Sequence, residues 1–383
     1  MHVVVLGAGY AGLTTTRLLE RTLPAEVDIT VVDRSPDHLV QHELHRVIRR
    51  PEVAEEITVA LPEVLDRASV RVGRVESVDR DDRTISLSGG TLSYDVAAIC
   101  LGARTAFYGL EGVREHATPL KRLADAFRIR NRALEVLGND DARIVVGGAG
   151  LSGIQVAGEL AALATERNAG ARITVLEQFD TVAPTFPANF GQAVERSLAN
   201  AGVEVRTGAT VREADAETVT LESGESLSAD QFVWTGGIRG SDAFDGDRPT
   251  VRGDLRLDER TFALGDAARV VDADGEPVPA SAQAAVRQAR TASTNVARVV
   301  DAQRKGTDAF DPRMASFSFH SPGWLVSVGD DAVAQVGPAV VTGRAAKALK
   351  STVGVGYLSA VGATETALGR VRDELDPRSR SRY

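Results

Sequence analysis

The chain has 383 residues, 43% of them hydrophobic and 25% charged, which fits a soluble globular protein of two or three domains with ample core. A net charge of −9 argues against a duplex nucleic acid as partner. The single cysteine, Cys100, excludes an internal disulfide, a CxxC pair and any cysteine-rich metal site. No stretch approaches the ~20 apolar residues of a transmembrane helix, and no leader precedes the first apolar run. These features predict a cytoplasmic protein, or one held peripherally on the inner face of the cell membrane.

Val3-Val4-Val5-Leu6 predicts a strand buried on both faces of a parallel sheet. Gly7-Ala8-Gly9-Tyr10-Ala11-Gly12 follows as G-x-G-x-x-G and opens a helix from Leu13 to Glu20. Gly7 makes the tight turn, Gly9 admits a pyrophosphate, and Gly12 lets helix and strand pack closely. A second strand, Ile29 to Val32, ends at Asp33, whose carboxylate can accept hydrogen bonds from a ribose diol.

His38, His42 and His45 follow at helical spacing, one face if that stretch is helical. A metal site is one reading, but nothing completes a ligand set, and a loop lining a cofactor site is preferred. Residues 53–68 read as a helix interrupted at Pro62, and Val70 to Leu87 as a three-stranded meander. Tyr94 to Leu101 reads as a buried strand ending at Gly102, and Thr118 to Leu137 as an arginine-rich helix.

The opening device then recurs. Strand Arg143 to Val146 leads into Gly148, Gly150 and Gly153 in G-x-G-x-x-G, a helix from Ile154 to Ala164, and strand Ile173 to Leu176 ending at Glu177. A carboxylate at Glu177 favours a free 2′-hydroxyl and repels a 2′-phosphate, so this second site should prefer NADH to NADPH. Val203 to Arg206 and Thr218 to Leu221 read as a hairpin. Further on come Gln231 to Trp234 before Thr235-Gly236-Gly237, a strand ending in Gly265-Asp266, and a helix from about Ala280 to Gln303. Near the C-terminus, Phe317 to His320, Leu325 to Val328 and Ala332 to Val336 read as strands. From Gly343, Arg344, Lys347 and Lys350 fall on one side of a helix, either facing anionic lipid or simply solvated. Arg370 to Tyr383 reads as a frayed end.

The two glycine motifs, Tyr94-Asp95 leading to Leu101-Gly102, Thr235-Gly236-Gly237, and Phe262 to Asp266 together resemble the two-dinucleotide flavoprotein oxidoreductases across residues 1–300. Within that group, Pro279 to Ala285 and Leu325 to Val336 look most like type II NADH dehydrogenases, which are peripheral NADH:quinone oxidoreductases.

The resemblance implies an α/β fold with two Rossmann-like domains and a small C-terminal α+β region. The FAD domain is split over residues 1–112 and 236–308, the NADH domain 113–235 is inserted in it, and 309–383 form the C-terminal region. FAD is implied at Gly7, Gly9, Tyr10, Ala11, Gly12, Asp33, Arg34, Gln41, Val75, Gly102, Gly265 and Asp266, with Ala282 and Gln283 beside the flavin. NADH is implied at Gly148, Gly150, Leu151, Ser152, Gly153, Glu177 and Gly237. Glu159, Gln283 and His42 are the implied catalytic residues: Glu159 near the nicotinamide end, Gln283 bordering a quinone pocket, and His42, or else His45, as a proton source. The family's apolar segment after the first acidic strand end is replaced here by Gln41-His42-Glu43-Leu44-His45. The resemblance also allows peripheral membrane contact and a homodimer.

The cofactors carry the hydride chemistry, so no protein nucleophile is required. One cysteine excludes the disulfide and sulfide:quinone reductases, which need cysteine pairs. Two readings stay open beside a quinone reductase. One is an NADH-dependent ferredoxin or rubredoxin reductase, using the arginine-rich helix as a docking rim. The other is a flavin-bound redox sensor or scaffold.

Overall fold

A computed structural model describes residues 1–306, 312–360 and 362–363. It contains two five-stranded parallel sheets built the same way. In the first, β1 (His2–Leu6) turns into α1 (Tyr10–Thr22) and returns as β2 (Asp28–Asp33). β3 (Ser69–Val72) pairs with β2, and β4 (Val96–Ile99) with the other side of β1. Val3 to Leu6 have no exposed surface, as an apolar run in a central parallel strand requires.

The second sheet runs through β5 (Ala117–Pro119), α3 (Leu123–Val136), β6 (Ala142–Gly147), α4 (Leu151–Glu166), β7 (Ala171–Leu176), α5 (Ala188–Asn200), β8 (Val203–Arg206) and β9 (Gln231–Trp234). Its strand order is β5-β9-β6-β7-β8. After it, β10 (Thr261–Ala263) pairs with β4 and completes the first sheet, in the order β10-β4-β1-β2-β3. Residues on both sides of the second sheet in sequence therefore share one sheet. α6 (Ala282–Lys305) then packs against α1.

A small antiparallel sheet follows, β11 (Gly323–Val328), β12 (Asp331–Val336) and β13 (Ala339–Thr342), with α7 (Gly343–Ala360) laid against it. Gly329, between β11 and β12, comes so close to Gly158 of α4 that a Cβ on Gly158 would collide with its backbone nitrogen.

Several predicted elements differ. Residues 53–68 are not one helix: Val53–Glu56 and Leu61–Val64 are single turns on either side of strand Thr58–Ala60. Pro62 stands at the start of the second turn, where its missing N–H costs nothing. Val70 belongs to β3 of the parallel sheet, and the meander is Val75–Asp79, Thr84–Leu87 and Gly90–Ser93. Val203 to Arg206 is likewise a parallel strand, and the hairpin region is Val211–Ala214, Thr218–Leu221 and Ser226–Ser228. Thr118 and Pro119 lie in β5, so the arginine-rich helix starts only at Leu123. Phe317 to His320 form no strand. Arg370 to Tyr383 lie outside the described residues.

Candidate active site

Both glycine turns have one geometry. Gly7 and Gly148 have φ of +96° and +99°, a left-handed bend that favours glycine. A Cβ on Gly12 would strike the Gly7 carbonyl, and one on Gly153 the Gly148 carbonyl, so the helices can start this close to their strands only with glycine. Gly9 and Gly150, in contrast, face open space, with nothing within 4 Å of a Cβ on either. Each is the N-cap of its helix, with no side-chain cap and no acidic residue in the first turn. Tyr10 and Ala11 begin α1, and Leu151 and Ser152 begin α4. Uncapped amides over an open glycine fit the size and charge of a pyrophosphate.

The acidic strand ends are also paired alike. Asp33 accepts from the Ala8 amide at 2.7 Å and from the Ser35 amide at 3.0 Å. Glu177 accepts from the Ala149 amide at 2.8 Å and from the Phe179 amide at 3.1 Å. Each carboxylate is thus fixed beside its own turn. Arg34 follows Asp33, and burial and Arg122 draw its pKa down.

Gly265 brings Asp266 to the first turn. Its φ is +65°, a Cβ on it would lie 3.0 Å from that of Ala11, and its amide donates to Gln288 Oε1 at 2.7 Å. Arg248 holds the carbonyls of Asp266 and Ala268, each at 2.8 Å. Gly102, at φ +65° beyond β4, also faces open space. Val75 is buried at the start of the meander. Ala282 and Gln283 open α6, and Gln283 Oε1 accepts from the Ser321 hydroxyl at 3.2 Å. Gly237 follows β9, next to Gly236, which abuts Gly148.

The three histidines do not share a helix face. His38 lies on a short strand, His42 in a 3-10 turn that starts at Gln41, and His45 before α2 (Arg46–Arg49). No group of three metal-capable side chains is found among the described residues. His38 Nδ1 bonds the Ala8 carbonyl at 2.8 Å, so its Nε2 is left to accept from the Tyr357 hydroxyl at 3.0 Å. Burial lowers its pKa. His42 Nδ1 meets the Tyr10 hydroxyl, and its Nε2 lies 3.3 Å from Glu43. Tyr357 and Tyr10 stack edge to face at 4.9 Å.

Glu159 is buried midway along α4. It lies eight residues beyond Leu151, about 12 Å along the helix axis, and faces α2, α7 and the β11–β12 hairpin. A cavity of about 120 Å³ opens there, lined by Glu43, Arg46, Arg49, Glu159, Asp330 and Lys350 among others. Burial raises the Glu159 pKa to about 7 against the pull of Arg49, 3.7 Å away. Lys350 donates to Ser327 Oγ at 2.8 Å and His45 Nε2 at 3.2 Å, and lies 3.7 Å from Glu43. Burial and Lys350 together hold His45 neutral, far below its usual pKa. The inward contacts of Tyr357 and Lys350 escape sequence reasoning because their histidine partners lie more than 300 residues away. Only the aromatic and the cation in a small-residue helix hint at them.

A family profile of the pyridine nucleotide-disulphide oxidoreductases matches residues 1–289. The chain belongs to this family. A type II NADH:quinone oxidoreductase from Staphylococcus aureus is 26% identical, with 92% of this chain and 93% of that protein covered. One from Staphylococcus epidermidis matches equally well. In fold, the chain resembles NDH2 from Plasmodium falciparum solved with NADH, with a TM-score of 0.82 at 15% identity over 98% of this chain and 99% of that one. The sulfide:quinone oxidoreductase of Aquifex aeolicus has a TM-score of 0.78 at 18% identity, over 95% and 92%. Unlike the chemistry in the family's name, this chain has no cysteine pair, and its lone Cys100 is buried with its thiol pKa pushed up by burial.

Proposed function

We propose that this oxidoreductase is an FAD-dependent NADH:quinone oxidoreductase, with residues 1–112 and 236–308 as the FAD domain, 113–235 as the NADH domain and 309–383 as the C-terminal region. The observation that carries the reading is the duplicated turn: two open glycine cradles, each with a carboxylate tied to its own backbone. The names of its staphylococcal relatives supply the acceptor class. FAD, when bound, accepts a hydride from NADH and passes two electrons to a quinone.

The chain's own residues bind, orient and supply protons. Gly7, Gly9, Gly12 and the first amides of α1 take the FAD pyrophosphate, while Asp33 takes its adenosine ribose and Asp266 its middle section. Gly148, Gly150, Gly153 and Glu177 take NADH in the same way, and the Glu177 carboxylate disfavours a 2′-phosphate. Forming a quinol takes one proton beyond the hydride equivalent. His42 is the group read as supplying it, and Glu159, with a pKa of about 7, also exchanges protons near neutral pH. A protein acceptor is disfavoured by the arginines of α3. Arg128 pairs with Asp125, Arg130 donates to the Ile48 and Arg49 carbonyls, and Arg132 to that of Asp230. The reading includes a peripheral seat on the membrane, where quinones reside, and a homodimer.

The test is a visible spectrum of purified protein, then NADH titration, then a menaquinone analogue or ferredoxin. Flavin absorbance that bleaches with NADH and returns with the quinone supports the reading. A colourless protein that takes up no FAD refutes it, and recovery with ferredoxin alone refutes the acceptor.

A further inference from the structure

Among the described residues only two Phe, Tyr or Trp side chains are more than half exposed: Tyr108, at 67%, and Phe179, at 54%. Both stand at the carboxyl edge of the second parallel sheet, one on each side of its glycine turn.

Topology says which end of a dinucleotide each would meet. The turn after β6 takes the pyrophosphate, with β7 on one side and β9 on the other. Glu177 follows β7 and marks the adenosine end, so the nicotinamide end extends over β9. Phe179 stands two residues beyond Glu177. Its amide is tied to Glu177 and its carbonyl accepts from Gly208 at 3.0 Å, so the backbone is pinned while the ring is free. Tyr108 lies on the β9 side. Its hydroxyl packs so close to Gly237 that a Cβ there would collide with it.

Tyr108 is also held in an unfavourable backbone state. Residues 107–110 form a turn closed by Leu110 N donating to the Phe107 carbonyl at 3.0 Å, with φ of +54° at Tyr108 and +72° at Gly109. A tyrosine is rare at such a position. The loop base is fixed by Trp234 Nε1 on the Ala106 carbonyl at 2.8 Å and by the Ala106 amide on the Gly237 carbonyl at 3.1 Å. Strain retained in an exposed residue points to use.

We propose that Phe179 and Tyr108 are the two stacking walls of the NADH site, with Phe179 carrying the adenine ring and Tyr108 covering the nicotinamide mononucleotide half. This rests on the reading that the second turn binds NADH. Stacking on each ring would then add affinity to what the glycine cradle and Glu177 supply.

The test uses the full-length FAD-loaded enzyme and stopped-flow flavin reduction by NADH and by reduced nicotinamide mononucleotide, which lacks the adenosine half. Phe179→Ala should lower the advantage of NADH over the mononucleotide about tenfold, and Phe179→Trp should restore it. Tyr108→Ala should raise KM for both donors together, and Tyr108→Phe should not. Unchanged KM for NADH in both alanine variants overturns the proposal, as does a Phe179→Ala effect equal for the two donors. A wild-type enzyme that NADH fails to reduce refutes the parent reading and this proposal with it, whereas the outcomes specific to the stacking walls are read only by comparing variants with an active wild type.

Discussion

Glu159 shows how much a single side chain depends on its surroundings. The family resemblance implied a group near the nicotinamide end. The structure buries it against Arg49 and the Lys350 helix. Burial lifts its pKa from 4.5 to about 7, more than the neighbouring cations pull it down. The folded state therefore holds a proton that the unfolded chain has released between those values. Stability due to the neutral carboxyl is complete below about pH 4.5 and is lost as pH rises through about 7. Glu159→Gln keeps the shape without the titration. Relative to this variant, wild type should lose about 2–3 kcal/mol between pH 5 and pH 8, measured by urea unfolding at each pH. A constant difference across that range would contradict it.

At the scale of the element, α7 is the part whose use was least legible. Its three cations at three-residue intervals predicted a face toward lipid or water. Lys350 instead turns inward to Ser327, His45 and Glu43, while Lys347, at 55% side-chain exposure, lies 3.9 Å from Asp330. Further along, Tyr357 reaches through His38 to the Ala8 carbonyl in the first glycine turn. The outward face of α7 is mixed, with Arg344 and Lys347 exposed beside Leu349 and Val353. Local patterning could not show this, because the partners come from the polar stretch 38–45. The central parallel strands, unlike the edge strands β3, β5 and β8, were legible for the opposite reason. A central strand buried on both faces must be apolar throughout, whatever else the chain does, whereas 53–68 mixes turns and a short strand too brief to impose a period. Lys350→Met should leave Glu43 with less compensation and loosen α7. Amide exchange in Gly343–Ala360 should speed up by the equivalent of about 1–3 kcal/mol. Lys347→Met should change it by less than about 0.5 kcal/mol. Equal effects would mean that Lys350 is not the tie.

The whole molecule repeats one device and then joins the copies. β10, from the far end of the chain, pairs with β4, and Gly265 packs on Ala11, so the first turn is finished by residues more than 250 positions downstream. The recurrence of glycines and acidic strand ends was readable because Gly7, Gly12, Gly148 and Gly153 answer to local steric demands, while Gly9 and Gly150 leave open space beside the turn. The stacking rings were not, since an exposed aromatic has no sequence signature until the sheet edge is known. Two nearly identical cradles should nonetheless be separable. Gly9 and Gly150 both have extended backbone and open space around a Cβ, so a valine at either has room in the folded protein. It would take the place of the incoming pyrophosphate and cost its charge-assisted amide bonds, roughly tenfold to a hundredfold in affinity. Gly9→Val should therefore purify folded, by circular dichroism, but largely free of flavin. Gly150→Val should purify yellow and be bleached by dithionite, yet be reduced by NADH only at roughly tenfold or more higher concentration. If Gly150→Val loses its flavin and Gly9→Val keeps it, the two turns have been assigned to the wrong dinucleotides. If both variants behave as wild type, neither turn is a pyrophosphate site.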